Sequence, residues 1–575
     1  MNPNNPKIYG LDLGTTNSVL SVLSEGRPRV VPIEGENLVP SVVSWDGSEM
    51  LVGRRAWNRA AAFPEDSVLS VKRAMGSDRL FTLGGKEYRP EEISALILSH
   101  LRGQAARVGE IVERVVITVP AYFSDAQRRA TLEAGRLAGL TVERLINEPT
   151  AAALFYDQLR LADEGAGRDQ APWRHALVYD LGGGTFDVSV LRLGDLVEVL
   201  ASTGDTALGG DDFDALLAGR LIDQISERGG PDLHAHRPAL ARLTRAAERA
   251  KIGLSQRGAV RIEEARLPTP DGSPAEIAVE ISREGFESLT GRLADRTLEF
   301  VDQALAQAGL RPDDIDRVLL VGGMTRMPGI AKVLEEKFGA ARWPAVDPDQ
   351  SVALGAAVQG GLISGEKLTQ ILVDVTAHSL SLAALEPDTH ELKCQTIIPR
   401  NTPLPAVRSR LFQTAVRHQK KVDLEVYQGE SPEPEDNALI GVTQLHLAPA
   451  EIFCPIEVEY AYDLNGIVHL TAEQKGYSRR TEISFDSRHP QGRGGQDLDL
   501  LDGADDSEEA APSTQPSTGT NFVIRRARTI LERREPGPER EVLAGLLAAY
   551  ETALARDADE LDDLEDELLA ALDAE

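Results

Sequence analysis

Two segments combine an acidic side chain with a glycine-rich turn. Residues Ile8–Ser18 read IYGLDLGTTNS and place Asp12 just before a glycine and two threonines. Residues Leu177–Asp187 read LVYDLGGGTFD and repeat that order around Asp180. Glycine lets backbone N–H groups approach phosphate oxygens, and threonine hydroxyls add further donors. Because each carboxylate can also help to hold a hydrated Mg²⁺, the two segments predict a phosphate and magnesium site between two related halves of one domain.

Either segment alone is also compatible with an ordinary glycine-rich hairpin. The repetition favours phosphate binding, since acidic and threonine residues recur at matching offsets in both copies. The chain contains no Gly-x4-Gly-Lys-Ser/Thr motif, which excludes the P-loop class of nucleotide-binding proteins.

The elements that must position these turns follow an α/β pattern over residues 1–368. Short runs rich in β-branched residues, such as Val115–Val119, Ala176–Tyr179 and Val318–Val321, are each followed by glycine or proline and then by a helical pattern. That alternation predicts strands joined by helices.

Residues 375–487 have a different pattern. Runs such as Val422–Tyr427 and Ile456–Tyr460 alternate apolar and polar residues, and Asn465–Gly466 is typical of a turn. This period of two predicts an antiparallel sheet domain with half-exposed strands, a β-sandwich.

The C-terminal part changes composition twice. Residues 488–520 are rich in Gly, Asp, Ser, Pro and Thr, which predicts a flexible acidic linker. Residues 521–575 are helical in pattern and predict a short helical lid. Its apolar stripes are Val542, Leu546, Leu547, Tyr550 and Leu554, followed by Leu561, Leu564, Leu568 and Leu572.

Composition excludes several classes of protein. The chain has 61 basic and 91 acidic residues, a formal net charge of −30, which argues against a nucleic-acid partner. No apolar run is long enough to span a membrane, and the polar start Met1–Lys7 lacks the apolar core of a secretory signal. The two cysteines, Cys394 and Cys454, have no metal-like spacing and are each expected to be small buried residues, which suits the cytoplasm.

The paired Asp-Leu-Gly turns resemble the phosphate motifs of the actin, sugar-kinase and heat-shock ATPase superfamily. Longer segments narrow the resemblance to the seventy-kilodalton heat-shock (DnaK-type) chaperones, and in layout the chain is closest to their short, specialised bacterial members. The segments that carry it are Val119–Arg128, Ile146–Ala153, Leu208–Asp214, Glu248–Ser255, Val321–Pro328 and Asp347–Gly360. The resemblance implies a duplicated, two-lobed actin-like ATPase domain over residues 1–368.

The resemblance also implies residue roles, position by position. The catalytic residues that it implies are Lys72, Glu148, Thr185 and Asp187. The residues implied to organise Mg²⁺ and K⁺ are Asp12, Asp180 and Asp187. The residues implied to bind ATP or ADP are Asp12, Gly14, Thr15, Thr16, Asn17, Gly182, Gly183, Gly184, Thr185, Gly209, Gly210, Glu248, Lys251, Ser255, Gly322, Gly323, Arg326 and Asp349.

Residues 369–374 resemble the family's short apolar linker between the ATPase domain and a peptide-binding domain. An Ile-Leu-Val triplet is also compatible with an ordinary strand, and apolar groove residues with plain sheet core. The residues implied in interdomain coupling are Pro120, Arg128, Arg144, Ile371, Leu372, Val373 and Asp374. The residues implied to line the peptide groove are Leu382, Leu385, Phe412, Ala415, Val422 and Leu424.

The partners implied by the resemblance are unfolded or extended polypeptide clients, a J-domain cochaperone near Arg144 and a nucleotide exchange factor. Two other functions remain open from the residues. A sugar or acetate kinase of the same superfamily is disfavoured because the sheet domain belongs to the chaperones. A regulator specific for one client is the second alternative, because the helical lid is short.

Overall fold

A computed structural model describes residues 7–165, 174–194, 196–272, 275–339, 347–366, 372–386, 391–415, 418–448, 454–477, 479–484, 531 and 538–556. The predicted linker 488–520, the linker residue Ile371 and the second leucine stripe of the lid lie outside these residues.

The first lobe is built on a six-stranded sheet with helices and two small sheets around it. Its strands are β1 (Ile8–Leu13), β2 (Asn17–Ser24), β3 (Arg27–Val30), β4 (Val39–Pro40), β5 (Val43–Trp45), β6 (Met50–Val52), β7 (Ser67–Val68), β8 (Phe81–Leu83), β9 (Lys86–Tyr88), β10 (Arg114–Val119) and β11 (Thr141–Asn147). Its helices are α1 (Arg54–Ala60), α2 (Pro90–Arg107) and α3 (Asp125–Leu137). The main sheet has the order β11-β10-β1-β2-β3, with β4 paired to β2.

The second lobe repeats this plan on a five-stranded sheet. Its strands are β12 (His175–Leu181), β13 (Phe186–Leu193), β14 (Val197–Asp205), β15 (Ala259–Leu267), β16 (Ala275–Ser282) and β17 (Arg317–Val321). Its helices are α4 (Glu148–Gly165), α5 (Gly210–Glu227), α6 (Arg237–Leu254), α7 (Arg283–Ala308) and α8 (Pro328–Phe338). The next helix, α9 (Ser351–Ile363), returns to the first lobe and packs on β1, β2 and β10. The sheet order is β17-β12-β13-β14, and β18 (Leu372–Val373) adds a parallel edge strand beside β14.

Helices α4 and α9 pack against each other between the two sheets. Their small residues allow this close approach, as Gly355 shows, where an added Cβ would overlap the backbone of Ala151 on α4. The buried core here joins Val116 of the first sheet to Val178 of the second. The lobes therefore share one hydrophobic core at the base, and the two glycine-rich turns stand above it.

The sheet domain is a sandwich of two four-stranded antiparallel sheets. Its strands are β19 (Leu380–Leu385), β20 (Leu392–Ile398), β21 (Ala406–Gln413), β22 (Lys421–Gln428), β23 (Ala438–His446), β24 (Pro455–Tyr462), β25 (Val468–Gln474) and β26 (Arg479–Ser484). The orders are β20-β19-β22-β23 and β21-β24-β25-β26. Alternate residues such as Val426 and Tyr460 meet between the sheets, as the period of two predicts.

Two expectations need correction. On the C-terminal helix α10 (Pro538–Arg556), Leu543, Leu547 and Tyr550 are buried, whereas Val542 of the predicted stripe is exposed. Cys454 is buried as expected, but Cys394 is only partly buried because β20 is an edge strand. No helix in the described part of the chain combines the length and the apolar character needed to cross a membrane.

Candidate functional site

The two glycine-rich turns face each other across a cleft between the lobes. The first turn joins β1 to β2, and the second joins β12 to β13. A Cβ added at Gly184 would lie 2.6 Å from Thr15 Cγ2, and one at Gly183 would overlap Thr16 Oγ1. Glycine at both positions is therefore required by the approach of the opposite threonines. The structure thus brings together the residues that the duplicated motif predicted to bind phosphate.

A third glycine segment joins this cradle. A Cβ at Gly209 would lie 2.6 Å from the carbonyl carbon of Gly183, so the start of α5 packs directly on the second turn. The backbone N–H of Gly210 donates to Gly182 O at 2.9 Å, and that of Asp211 donates to Gly183 O at 2.7 Å. The N-terminus of α5 therefore points its positive dipole toward the turns, which favours an anionic ligand.

Beneath the turns the structure buries an excess of negative charge. Asp180, Asp187 and Glu148 are almost inaccessible to solvent, and Lys72 is a buried cation beside them. Burial and the charge of Glu148 raise the pKa of Asp12 and of Asp187 to about 7. The same two causes raise the pKa of Asp180 well above its ordinary value. These carboxylates repel one another and would be stabilised by a bound cation.

The donor set fits a hydrated magnesium ion better than a directly ligated one. Among the residues described, no three acidic, histidine or cysteine side chains converge closely enough to hold one metal ion. Asp12 on β1 and Asp180 on β12 occupy equivalent positions, each one residue before the end of the strand that leads into its turn. Each can therefore contact water molecules of a hydrated ion from its own lobe. Mg²⁺ often keeps several water ligands and takes one or two carboxylates.

Lys72 and Glu148 form a buried ion pair between the side chains predicted to be catalytic. Lys72 lies on a single 3-10 turn that follows Ser70, whose backbone is left-handed with φ of 53°. Glu148 is the first residue of α4, as its position before Pro149 predicts. Burial alone would lower the pKa of Lys72, but the charges of Glu148 and Asp12 outweigh it and raise that pKa. Lys72 therefore stays protonated in the cleft.

Another side of the cleft carries further residues predicted to bind ATP or ADP, which lie on or next to α6 and in the loop after β17. Glu248 and Lys251 lie on one face of α6, and Ser255, four residues further on, is the residue that caps the C-terminus of this helix. Lys251 Nζ bonds Asp214 Oδ2 at 2.6 Å and Gly210 O at 3.0 Å. Lys251 thus connects α6 to the glycine segment at the start of α5.

The loop after β17 completes this side. Arg326 is half-exposed and forms ion pairs with Asp347 at 2.5 Å and with Asp349 at 2.8 Å. A Cβ added at Gly322 would overlap the backbone of Leu181, which places this loop against the second phosphate turn. Gly323, Arg326 and Asp349 therefore lie together beside the second glycine-rich turn.

Several polar contacts across the cleft were not predicted from the sequence. Ser70 Oγ donates to Asp211 Oδ2 at 2.6 Å, and Arg73 Nη2 binds Asp212 Oδ2 at 3.0 Å. Within the first lobe, Thr118 Oγ1 donates to Asp12 Oδ1 at 2.8 Å and holds that carboxylate in place. The sequence feature that could have indicated the contacts of Ser70 and Arg73 is the pair of aspartates, Asp211 and Asp212, that follows Gly209–Gly210.

The predicted linker is an added strand of the second lobe. Leu372 and Val373 pair in parallel with Val197 and Glu198 of β14. The next residue, Asp374, is buried, and burial raises its pKa although hydrogen bonds oppose this. The linker therefore ends in a carboxylate that is enclosed between the ATPase domain and the sandwich.

Asp374 connects the linker to the start of α4. Its Oδ2 accepts hydrogen bonds from Asn147 Nδ2 at 2.9 Å and from Thr150 Oγ1 at 3.2 Å. The guanidinium of Arg128 donates to Asn147 Oδ1 at 2.7 Å and also to Asn465 O of the sandwich at 3.3 Å. Arg144 is partly buried with its charge near Asp374.

Further contacts seat the sandwich against both lobes. On the first lobe, Asp125 Oδ1 accepts from the backbone N–H of Val468 at 2.9 Å, and Arg129 Nη2 donates to Val468 O at 2.8 Å. On the second, Arg400 Nη2 donates to Ser202 O at 3.3 Å. Asp125, Arg129 and Arg400 were not predicted to take part in interdomain contacts. Pro120 was predicted to do so, and it is buried at the end of β10.

The predicted groove residues are divided by the structure between core and surface. Leu382 and Leu424 are buried in the core of the sandwich. Phe412 and Val422 are partly buried beside that core, whereas Leu385 and Ala415 are exposed at the end of the sandwich. The six residues therefore lie at one end of the domain. Their burial alone does not show whether they bind peptide or only form the core of the sandwich.

A comparison with protein-family models agrees with this architecture. The model of the family described as Hsp70 protein matches residues 8–82 and 80–493, which span both lobes, the linker and the sandwich. Members of this family are ATPases that act as chaperones, and they bind ATP or ADP with Mg²⁺. The duplicated turns, the buried carboxylates between them and the appended sandwich are the features expected of such a protein. The chain belongs to the Hsp70 protein family.

Proposed function

We propose that this protein is an ATP-dependent chaperone that binds and releases extended apolar polypeptide segments, with binding coupled to slow ATP hydrolysis. The observation that carries the proposal is a continuous set of hydrogen bonds. It runs from the sandwich through Arg128 and Asp374 to Asn147 and Thr150. Those last two residues flank Glu148, the buried carboxylate of the nucleotide cleft.

Within the cleft the chain's own residues would position ATP and water. The two turns offer backbone N–H groups and the hydroxyls of Thr15, Thr16 and Thr185 to the phosphates. Lys72, buried beside Glu148, would supply the positive charge that balances phosphate charge, and Glu148 would orient water and accept its proton. A bound Mg²⁺, held through water by Asp12, Asp180 and Asp187, would neutralise phosphate charge. We propose that the same three carboxylates would also help to hold K⁺.

Coupling would use the start of α4. When the sandwich and linker separate from the ATPase domain, Asp374 would leave Asn147 and Thr150. Because these residues lie immediately on either side of the Glu148–Pro149 step, their release would change the support of Glu148 and hence hydrolysis. Peptide and nucleotide would then alter one another's binding, as coupled sites must.

Peptide would bind at the end of the sandwich that carries the groove residues. An extended segment can bond to backbone groups there while its apolar side chains contact Phe412 and Val422. We further propose a J-domain cochaperone at Arg144, a nucleotide exchange factor and a cytoplasmic location. These follow from the family and from the partly exposed Arg144 beside the linker.

The linker provides the test. Replacing Ile371, Leu372 and Val373 by serine should keep single-turnover ATP hydrolysis but abolish its stimulation by a leucine-rich peptide. The matched control replaces the exposed apolar residues Val108 and Ile111 by serine, which lie outside the cleft. Stimulation that survives in the linker variant would contradict the coupling proposal.

A further inference from the structure

The strand β21 and the loop that follows it carry a local excess of positive charge. Residues 406–422 contain no aspartate or glutamate, in a chain whose formal net charge is −30. The basic residues of this stretch are Arg408, Arg410, Arg417, Lys420 and Lys421. Of these, all but Arg417 lie among the described residues and are exposed. The local charge is therefore opposite to that of the whole molecule.

Arg410 lies directly beside a predicted groove residue. Its Nη1 donates to Thr396 O at 3.2 Å, so the side chain bridges from β21 to the edge strand β20 of the other sheet. Its guanidinium carbon is 5.9 Å from the ring centroid of Phe412. A cation therefore stands at the open side of the sandwich, next to an apolar groove residue.

The loop between β21 and β22 places the backbone of two more basic residues at the same end. Gln419 Oε1 accepts from the backbone N–H of Ala415 at 3.1 Å, and Gln419 Nε2 donates to Lys421 O at 3.0 Å. This clamp holds the predicted groove residue Ala415 close to the start of β22. Lys420 and Lys421 therefore belong to the rim of the predicted groove.

These cations have no acidic partner among the described residues. Arg408 and Arg410 donate to the backbone oxygens of Val407 and Thr396. On the facing rim, Glu391 is within 3.2 Å of Lys393, and Lys393 also binds Glu433. The positive charge of β21 and its loop is thus left for a ligand to balance.

We propose that this groove selects extended apolar segments that are flanked by acidic residues. The inference rests on the proposed peptide-binding function and names its substrate class. Acidic flanks would be attracted to Arg410, Lys420 and Lys421, while basic flanks would be repelled. The leucine-like core of the segment would contact Phe412 and Val422.

Two labelled twin peptides test the selection. Both have the same central leucines, one with three aspartates on each side and the other with three lysines. With the full chain and ADP, fluorescence anisotropy should show the acidic twin binding about tenfold more tightly or better at about 50 mM salt. The ratio should shrink towards one at about 0.5 M salt, because the screening length then falls to a few ångströms.

Charge-reversed variants locate the effect. Lys420→Glu combined with Lys421→Glu should reverse the preference, and the glutamine pair at the same positions should reduce it. The matched control is Lys86→Glu on the exposed hairpin β8–β9 of the first lobe, which should leave the preference unchanged. A third peptide with aspartate flanks and serines in place of the leucines should bind weakly.

The outcomes separate this inference from the function on which it rests. Equal binding of the two twins, or a preference that survives the charge reversal, would overturn the acidic selectivity and leave peptide binding intact. Tight binding of the serine peptide would show a surface that binds charge alone and would overturn the apolar part. Failure of every peptide to bind would remove both proposals.

Discussion

The nucleotide cleft and the predicted peptide groove differ in whether the burial of their residues can be explained without a ligand. In the cleft, Asp180, Asp187 and Glu148 are buried with Lys72 as a cation among them. Burying ionised groups costs several kcal/mol per ion unless partners compensate. In the groove, Leu382 and Leu424 fill the core of the sandwich and are stabilised by that core alone.

This difference shows what kind of residue can identify a site. A buried unbalanced carboxylate has no explanation in packing, so it indicates a cation or a reacting group. A buried leucine is explained by the hydrophobic effect whether or not a peptide binds. At the groove, the informative residues are therefore the cations of the rim, which have no acidic partner in the described part of the chain, and not its apolar lining.

The largest expected effect tests the cleft. Lys72→Ala and Thr185→Ala should each keep ATP binding but slow single-turnover hydrolysis by roughly 10²–10⁴-fold, the scale of a lost catalytic group. The turns and α6 still hold the nucleotide, whereas the charge and the hydroxyl next to the phosphates are gone. Nucleotide affinity and the single-turnover rate are measured on the same preparations.

Loss of Lys72 also leaves Glu148 buried without its partner, which can destabilise the fold. Lys72→Ala combined with Glu148→Gln removes that unpaired charge and serves as the control for folding, with the thermal midpoint as readout. Hydrolysis at the normal rate in both Lys72→Ala and Thr185→Ala would exclude these residues from the mechanism.

A second prediction concerns the contact that joins the two regions. His378 of the sandwich packs edge-on against Tyr122 of the ATPase domain, with ring centroids 4.1 Å apart, and its Nε2 donates to Tyr122 O at 3.1 Å. Burial lowers the pKa of His378 to about 4, while Glu430 opposes the shift and Arg400 and Arg128 favour it. The docked state therefore holds the neutral imidazole.

The sign of the pH effect follows from that lowered pKa. An undocked, exposed His378 takes up a proton below about pH 6.5, whereas the docked one does not until about pH 4. The contribution of neutral His378 to docking should be fully present well above pH 6.5 and should be lost as the pH falls towards 4. At pH 5.5 the shift towards the undocked state should be about tenfold.

Fluorescence energy transfer between labels on the two domains measures this docking from pH 7.5 to 5. His378→Leu should make docking insensitive to pH in this range. The exposed His234 provides the matched control, since His234→Gln should behave as the unsubstituted protein. Identical pH profiles for the His378→Leu variant and the unsubstituted chain would exclude His378 as the titrating group.

The strands that carry the cleft could be predicted from the sequence, because each strand is marked by a pattern of neighbouring residues. Val115–Val119 and Val318–Val321 are β-branched runs bounded by glycine or proline, and the structure contains them as β10 and β17. The facing of the two turns also followed from the sequence, because the motif is duplicated. The catalytic roles of Lys72 and Glu148 were implied by the family resemblance and not by spacing, and their buried ion pair was not predicted.

The residues that sequence reasoning missed are those whose partners lie far along the chain. Asn465 accepts from the backbone N–H of Leu145, 320 positions away, yet asparagine before glycine is simply typical of a turn. On α10 the apolar residues occur in adjacent pairs, so periodicity could not decide between Val542 and Leu543. Only tertiary packing selects one face in such a case.

The last and smallest effect concerns the opening of the cleft. Arg245 of α6 lies over the ring of Trp57 of α1, with its guanidinium carbon 3.7 Å from the ring centroid, and Nη1 donates to Trp57 O at 2.7 Å. Arg54 lies on the same ring at 5.1 Å. These helices belong to different lobes, so the contact must break when the lobes separate to release nucleotide.

Arg245→Ala should therefore speed ADP release about three- to tenfold, because a cation–π contact and one hydrogen bond at this partly exposed position are each worth about 0.5 kcal/mol. Displacement of a fluorescent ADP analogue in a stopped-flow instrument measures this rate. Arg249→Ala, on the same helix but paired with Glu264 inside the second lobe, should leave it unchanged. If both variants release ADP at the normal rate, separation of α1 from α6 does not limit release. The cleft would then be held closed by its contacts near the phosphate turns, such as Ser70 with Asp211 and Arg73 with Asp212.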